Sequence, residues 1–208
     1  MHYLGKYFIF LFLFPAQIFA GEIFDDLPKN INPDEKYIFY SHGYSGVGGT
    51  SEITTSLSDP AYNLIAYHRP VHTYPSQYSR FLASQVDALI SEGVKPRNIT
   101  LMGYSDGGVL SILTSSELAN DEINVVILAG CAGVIKVNPI IEVYGDVYSI
   151  YDNEDELAGS CQFLIDRSKH EKSFTELIIN TGKGHGAFRT ATDEWITPVK
   201  KWIKSIPD

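Results

Sequence analysis

The chain has 208 residues, of which 44% are hydrophobic and 20% are charged, and its formal net charge at pH 7 is −9. This length and composition predict one globular domain with a hydrophobic core of its own. The negative charge argues against non-specific binding to nucleic acid, and the sequence contains no internal repeat, low-complexity tract or second domain boundary.

The first twenty residues have the pattern of a secretory signal peptide. Lys6 precedes an apolar run, residues 7–14, and Ala20 is followed by polar residues. The run is shorter than the roughly 20 residues that span a bilayer, which favours cleavage after Ala20 over an uncleaved anchor or a core helix. We therefore expect a signal peptide at residues 1–20 and a single domain at residues 21–208, secreted or periplasmic, with no later membrane span.

The first predicted strand, Lys36 to Tyr40, leads into a glycine-rich loop that begins His42-Gly43-Tyr44. Such a loop can bind phosphate, but neither G-x-G-x-x-G nor a terminal Gly-Lys-Ser/Thr is present. The pattern favours a loop that supplies the first backbone donor of an oxyanion hole, here the N–H of Tyr44. Gly43 permits the turn, and we expect His42 to be a structural histidine packed behind the loop.

The second strand-like run, Ala61 to Tyr67, ends in a loop that contains two histidines, His68 and His72. Pro70 argues against a helix here and therefore against a metal site on one helix face. We expect this loop to lie on the carboxyl side of the sheet, where it could line a substrate cleft. Arg69 could meet a negative group of a substrate, but the interpretation that we favour is a solvated loop arginine.

The central motif is Gly103-Tyr104-Ser105-Asp106-Gly107, a G-x-S-x-G between a predicted strand at 99–102 and a predicted helix at 109–118. This context is typical of a nucleophile elbow, a sharp turn that exposes the serine hydroxyl and needs glycine on both sides. The helix that follows directs its N–H groups and positive end toward an oxyanion forming beside Ser105.

Strands and helices alternate along the rest of the chain. Further helices are predicted at 78–92 and 194–203, and further strands at 124–129, 146–151 and 174–180. The alternation predicts a three-layer α/β/α sandwich with a mostly parallel central sheet. Active groups in such sheets gather at the carboxyl ends of the strands.

The chain has two cysteines, Cys131 and Cys161. Export to an oxidising compartment permits a disulfide between them. The alternative is two buried thiols that behave as small apolar side chains, and we favour the disulfide slightly. Neither cysteine belongs to a C-x-x-C or a histidine cluster, so the sequence does not indicate a metal site.

A serine hydroxyl becomes a good nucleophile only beside a base that a carboxylate orients. His185 lies in a glycine-rich loop after the last predicted strand and is favoured over His170, which lies in a charged segment before that strand. The carboxylate should follow the preceding strand. Hydrolases of this kind often turn over three residues before they present an aspartate, which favours Asp155, with Asp152 as the alternative.

The chain resembles the α/β-hydrolase superfamily, in which nucleophile, acid and histidine follow one another in this order along the sequence. The resemblance rests on four segments: His42-Gly43-Tyr44, Gly103-Tyr104-Ser105-Asp106-Gly107, Asp155-Glu156-Leu157 and Gly184-His185-Gly186. The small size is similar to that of lidless esterase-like members, such as cutinases and small carboxylesterases. The resemblance implies that Ser105 attacks an acyl carbonyl, that His185 takes its proton and that Asp155 orients His185. It also implies that the N–H groups of Tyr44 and Asp106 bind the oxyanion, and it implies no metal or organic cofactor.

Two departures from the family pattern bear on function. The segment 131–142 is too short for a lid, which indicates an open cleft and a small-molecule or surface-held ester. Asp106 places a charge beside the oxyanion, which is unhelpful unless the carboxylate points away or is paired. Ester hydrolysis is the expected activity, and acyl transfer, thioester hydrolysis and peptide hydrolysis use the same groups. A secreted binding protein without activity is the remaining alternative, and the sequence does not indicate an oligomeric state.

Overall fold

The computed structural model describes residues 27–46 and 51–207. The predicted signal peptide at residues 1–20 lies outside these described residues. The strands are β1 Tyr37–Ser41, β2 Asn63–Ala66, β3 Ile99–Tyr104, β4 Asn124–Leu128, β5 Tyr144–Asp152 and β6 His170–Ile179. The α-helices are α1 Ser51–Leu57, α2 Pro75–Ser91, α3 Asp106–Leu118, α4 Val134–Val137, α5 Gln162–Ile165 and α6 Asp193–Ser205, and 3-10 turns occupy Tyr44–Gly46, Pro96–Asn98 and Gly184–Arg189.

The six strands form one sheet in the order β2-β1-β3-β4-β5-β6, and every neighbouring pair is parallel. The register pairs Ser41 with Gly103 and Tyr104 with Leu128, so the carboxyl ends of β1, β3 and β4 lie at one edge. The three central strands are buried along their whole length, which requires helices on both faces of the sheet. The predicted parallel sheet is therefore confirmed.

Helices cover both faces of the sheet, and each face has its own core. On one face, α1 and α6 pack against the sheet through residues that include Ile53, Leu57, Trp195 and Val199. On the other face, α2 and α3 pack through residues that include Leu82, Val86, Leu89 and Leu110. The predicted three-layer sandwich is confirmed, and Trp195 is fully buried in the first core.

A disulfide joins Cys131, just after β4, to Cys161, just before α5. Both residues are buried in a third apolar cluster with Ile135, Val147 and Leu164. The favoured interpretation of the two cysteines is therefore confirmed. The bond ties the chain that leaves β4 to the far end of the segment that follows β5.

Several elements differ from the prediction, among them the four-residue helices α4 and α5, which were not predicted. Helix α1 was not predicted, because only Ile53 and Leu57 of its seven residues are buried and so short a segment has little apolar periodicity. Strand β6 begins at His170 and is longer than predicted, because it is an edge strand whose charged side chains remain partly exposed. His170 therefore lies at the start of a strand, where its ring stacks on Tyr144. Within the part of the chain that the structure describes, no helix is long and apolar enough to span a bilayer.

Candidate active site

Ser105 occupies a sharp turn between β3 and α3. Its backbone has φ 54° and ψ −117°, a conformation that non-glycine residues rarely adopt and that is held here by the surrounding structure. A Cβ atom on Gly103 would lie 2.2 Å from the carbonyl carbon of Gly107, and one on Gly107 would lie 1.9 Å from the carbonyl oxygen of Ser41. Both flanking positions therefore require glycine, as expected for a nucleophile elbow.

The structure brings Ser105, His185 and Asp155 into one chain of hydrogen bonds. Ser105 Oγ lies 2.7 Å from His185 Nε2, and His185 Nδ1 lies 2.9 Å from Asp155 Oδ2. An ionised carboxylate only accepts hydrogen bonds, so His185 Nδ1 carries the proton and Nε2 is free to accept the serine hydroxyl. The side chain of Asp155 is fully buried and that of His185 is 18% exposed, so the imidazole is in contact with solvent while the carboxylate is not.

The two aspartates after β5 have different contacts. Asp155 Oδ1 accepts the N–H groups of Leu157 and Ala158 at 2.9 and 3.0 Å, which leaves Oδ2 for the imidazole of His185. Asp152 Oδ2 instead accepts both the N–H and the hydroxyl of Thr181, at 2.7 and 2.6 Å. Asp152 thereby ties the loop that carries Asp155 to the loop that carries His185.

Hydrogen bonding sets the charge of Asp152. Burial alone raises the pKa of this carboxyl, but the hydroxyl and N–H of Thr181 and the N–H groups of Glu154 and Gly184 outweigh that effect. The pKa of Asp152 is therefore below its usual range, and the group is a carboxylate at neutral pH.

Tyr104 also positions His185, and sequence reasoning missed it. Its phenol donates a hydrogen bond of 2.7 Å to the carbonyl oxygen of His185, and the two rings lie 5.6 Å apart. The loop is packed closely beneath them, because a Cβ on Gly184 would lie 2.8 Å from the carbonyl oxygen of Glu154. The only signal in the sequence is a polar aromatic residue immediately before the serine, at the end of a buried strand.

The loop after β1 lies against the start of α3, as the contact between Gly107 and Ser41 indicates. His42 is buried in this loop; its Nε2 accepts the backbone N–H of Arg69 at 2.9 Å, and its Nδ1 donates to the carbonyl of Gly43 at 2.6 Å. Burial lowers the pKa of His42, in agreement with a neutral ring that donates from one nitrogen and accepts at the other. His42 thus packs behind the loop and does not contact the serine directly.

The interpretation of Arg69 as a solvated loop arginine is wrong. Its side chain is only 5% exposed, and Nη2 lies 3.0 Å from Asp106 Oδ2 in an ion pair. The same nitrogen lies 3.4 Å from the carbonyl oxygen of Gly43. The sequence could not reveal this pairing, because β2 and α3 are far apart in the chain and only the order of strands in the sheet brings their ends together.

The loops at the carboxyl edge expose several large apolar side chains: Tyr44, Val71, Tyr74, Val134 and Leu157. They follow strands β1, β2, β4 and β5 and so surround the position of Ser105 in the sheet order. Exposed apolar side chains at one edge of a sheet are suited to contact with an acyl chain or another apolar group. Among residues 27–46 and 51–207, no group of three or more His, Cys, Asp or Glu side chains is arranged to hold a metal ion.

Comparison with solved structures identifies the architecture. SOBER1 from Arabidopsis thaliana aligns with a TM-score of 0.60 at 16% identity, over 82% of this chain and 98% of that chain. A phospholipase/carboxylesterase from Dyadobacter fermentans aligns with a TM-score of 0.62 at 14% identity, over 82% of this chain and 90% of that chain. Esterase PE8 aligns with a TM-score of 0.60 at 14% identity, over 83% and 93% of the two chains.

The chain has the α/β-hydrolase fold. The resemblance noted in the sequence is thus confirmed at the level of architecture, over most of the chain. No protein-family model matches the sequence, and no curated protein matches it. At this low identity the α/β-hydrolase fold alone is established, and activity has to be argued from the site.

Proposed function

We propose that this protein is a serine hydrolase that cleaves carboxylic esters through an acyl-enzyme on Ser105. The observation that carries the proposal is the continuous hydrogen-bonded chain from Ser105 Oγ through His185 to Asp155, beginning at a strained turn in an α/β-hydrolase fold. This arrangement supplies a nucleophile, a base and an orienting carboxylate, the three groups that acyl transfer from an ester requires.

In the first half of the proposed reaction, Ser105 Oγ attacks the ester carbonyl carbon while its proton moves to His185 Nε2. Asp155 stabilises the imidazolium, and backbone N–H groups, those of Tyr44 and Asp106 in our proposal, bind the oxyanion of the tetrahedral intermediate. His185 then gives its proton to the leaving alcohol, and the carbon–oxygen bond breaks. In the second half, water gives a proton to His185 and attacks the acyl carbon. The bond between that carbon and Ser105 Oγ then breaks, His185 returns the proton to Ser105 Oγ, and the acid is released.

The surroundings of the site favour an ester with an apolar acyl or alcohol group. Exposed apolar residues, including Tyr44, Val71 and Leu157, line the loops around the cleft. The segment between β4 and β5 contains a helix of only four residues, Val134–Val137, which supports an open cleft without a lid. Acyl transfer, thioester hydrolysis and peptide hydrolysis remain alternatives, because they use the same three groups.

A panel of p-nitrophenyl esters of increasing acyl length tests the proposal on the mature chain. We expect Ser105-dependent turnover of at least one member, with Ser105→Ala reduced to the background rate. Turnover of thioesters or peptides but not of oxygen esters would favour one of the alternative reactions. Absence of turnover throughout the panel, together with absence of labelling by a fluorophosphonate, would favour a binding protein.

We also propose that the protein is exported. The N-terminal pattern of residues 1–20 and the disulfide between Cys131 and Cys161 both support an oxidising compartment. N-terminal sequencing of protein recovered from periplasm and culture medium tests this: a chain that begins at Gly21 is the expected result. An intact N-terminus on protein that stays in the cytoplasm would contradict it.

A further inference from the structure

We propose that Arg69 is a positioning residue of the oxyanion hole, where it neutralises Asp106 and holds the peptide group between Gly43 and Tyr44. The inference depends on the proposed function, because an oxyanion forms only if Ser105 attacks an acyl group. From the sequence, Arg69 could at most meet a negative group of a substrate, and nothing in the sequence connects it with an oxyanion hole. The structure places its guanidinium in contact with the carboxylate of Asp106 and with the carbonyl oxygen of Gly43. Asp106 and Tyr44, which follows Gly43, are the two residues whose N–H groups are proposed to bind the oxyanion.

The first contact concerns the orientation of the Tyr44 N–H. In a trans peptide the carbonyl and the N–H point in opposite directions, and no cis peptide occurs among the described residues. The carbonyl of Gly43 is held by His42 Nδ1 at 2.6 Å and by Arg69 Nη2 at 3.4 Å. The N–H of the same peptide group, that of Tyr44, therefore points away from His42 and Arg69.

Arg69 also acts on this loop through its backbone. Its N–H donates to His42 Nε2 at 2.9 Å, which keeps that nitrogen unprotonated and leaves the proton on Nδ1, where it reaches the Gly43 carbonyl. The loop lies against α3 so closely that a side chain on Gly107 would collide with the carbonyl oxygens of Ser41 and His42. A substitution at Arg69 keeps this backbone contact, so its effect on the Gly43–Tyr44 peptide group comes from loss of the guanidinium contact with the Gly43 carbonyl.

The second contact concerns charge. Asp106 is the first residue of α3, directly after the nucleophile, so a carboxylate lies beside the place where negative charge develops on the substrate. Arg69 Nη2 lies 3.0 Å from Asp106 Oδ2, and the arginine is buried, so the attraction is screened by water less than an exposed pair would be. With this pairing, Asp106 provides a backbone N–H to the oxyanion without the repulsion of an uncompensated carboxylate.

The two effects predict that loss of Arg69 harms the transition state more than the bound ester. We expect Arg69→Met to lower kcat about 100-fold with KM changed less than about threefold, since removal of oxyanion stabilisation costs roughly 100- to 1,000-fold. Arg69→Lys keeps the charge but loses the planar fork and should lose about tenfold. The exposed Arg80 of α2 supplies a matched control, and Arg80→Met should retain normal kinetics.

Removal of the carboxylate separates the effect of charge from that of packing. Asp106→Asn alone should lower kcat less than about fivefold, because the backbone N–H remains and the charge left near the oxyanion, that of Arg69, is positive. In the Arg69→Met background, Asp106→Asn should restore kcat by about tenfold. A purely structural role for Arg69 predicts no such recovery, because the double variant lacks both partners of the ion pair.

The closing experiment measures kcat and KM for a p-nitrophenyl ester in the wild type, the four variants of Arg69 and Asp106, and Arg80→Met. Hydrogen exchange of the peptide containing Gly43 and Tyr44 is followed in the same proteins by mass spectrometry. The inference predicts the kinetic order above and faster exchange in Arg69→Met than in Arg80→Met. If Arg69→Met does not fold, Arg69→Lys and Asp106→Asn carry the same comparison.

Failure of the inference can be distinguished from failure of the proposed function. Wild-type turnover that Arg69→Met and Arg69→Lys leave unchanged overturns the inference alone. Equal losses in Arg69→Met and in the double variant overturn the role assigned to charge. A wild type without turnover or fluorophosphonate labelling overturns the proposed function and, with it, any role of Arg69 at an oxyanion. If hydrogen exchange of the peptide containing Gly43 and Tyr44 is also unchanged in Arg69→Met, Arg69 does not hold this peptide group either.

Discussion

The surroundings of Ser105 on its two sides are held by different kinds of contact. On the base side, hydrogen bonds between loops that follow β5 and β6 hold His185, with Asp155, Asp152 and Tyr104 as its direct or indirect partners. On the side of the proposed oxyanion hole, an ion pair between the buried Arg69 and the partly exposed Asp106 joins the loop after β2 to the start of α3. Strands that are consecutive in sequence thus position the proposed base, whereas the order of strands in the sheet positions the proposed oxyanion donors.

The comparison explains why one side was predictable and the other was not. Ser105 and His185 each follow a strand within a glycine-rich segment, so local pattern was enough to propose them, and Asp155 was favoured by its place in the turn after β5. The pairing of Arg69 with Asp106 depends on tertiary proximity that no local pattern records.

The largest expected effect concerns the base side as a unit. Ser105→Ala and His185→Ala should each lower kcat by about 10⁴-fold or more, and the double variant should be no worse than the worse single variant, because the groups act together. Steady-state kinetics on a p-nitrophenyl ester measures this. Near-normal turnover in His185→Ala would remove His185 from the proposed mechanism.

The two aspartates after β5 provide the next comparison. Asp155→Asn should lower kcat about 10⁴-fold while the fold is kept, because an amide at this position permits the wrong tautomer of His185. Asp152→Asn should lower kcat tenfold or less but reduce the free energy of unfolding by about 2 kcal/mol, because the N–H and hydroxyl of Thr181 lose a charged acceptor. Kinetics and urea unfolding of both variants measure the difference. A larger loss of kcat in Asp152→Asn than in Asp155→Asn would make Asp152 the carboxylate that orients His185.

The contribution of Asp152 to the free energy of unfolding should depend on pH. Because the pKa of Asp152 is lower in the folded protein than in the unfolded chain, its contribution to stability is present above the unfolded pKa and is lost as pH falls through the lowered value. Urea unfolding between pH 6 and pH 2.5 should therefore show a smaller acid-induced loss in Asp152→Asn than in the wild type. Equal losses would contradict the contacts assigned to this carboxylate.

The disulfide stabilises the base side from outside the cleft. Replacement of both Cys131 and Cys161 by serine should lower the free energy of unfolding by about 3 kcal/mol, as expected for a loop of 30 residues. Because neither sulfur belongs to the hydrogen-bonded chain at Ser105, kcat at a temperature where the variant is folded should change less than about threefold. Urea unfolding and kinetics on the same sample measure both quantities, and a large fall in kcat without loss of stability would contradict this separation.

The smallest expected effect tests the contact that sequence reasoning missed on the base side. Tyr104→Phe removes the donor to the carbonyl of His185 and should lower the free energy of unfolding by about 1 kcal/mol, with a loss of a few-fold in kcat. Tyr151→Phe, in strand β5 and separated from β3 by β4, is a matched control that removes a hydroxyl away from this hydrogen bond. Equal changes in the two variants would show that the contact of Tyr104 has no special role.

Much of the fold could be predicted because the central strands are continuous apolar runs and α2 and α6 have clear amphipathic patterns. The edge of the sheet was harder, since β6 carries charged residues such as Glu171 and Lys172 that read as a loop, and α1 has too few apolar residues to show a period. Ser105, Asp155 and His185 could be predicted from their positions after predicted strands. The contacts of Arg69 and Tyr104 could not be predicted in this way, because their partners, Asp106 and His185, are distant in sequence.

Labelling with a fluorophosphonate, followed by peptide mapping, shows whether Ser105 is the nucleophile. We expect one adduct on the mature chain, located on Ser105, and loss of labelling in Ser105→Ala and His185→Ala. Labelling elsewhere, or undiminished labelling in Ser105→Ala, would contradict the claim that this serine is the nucleophile.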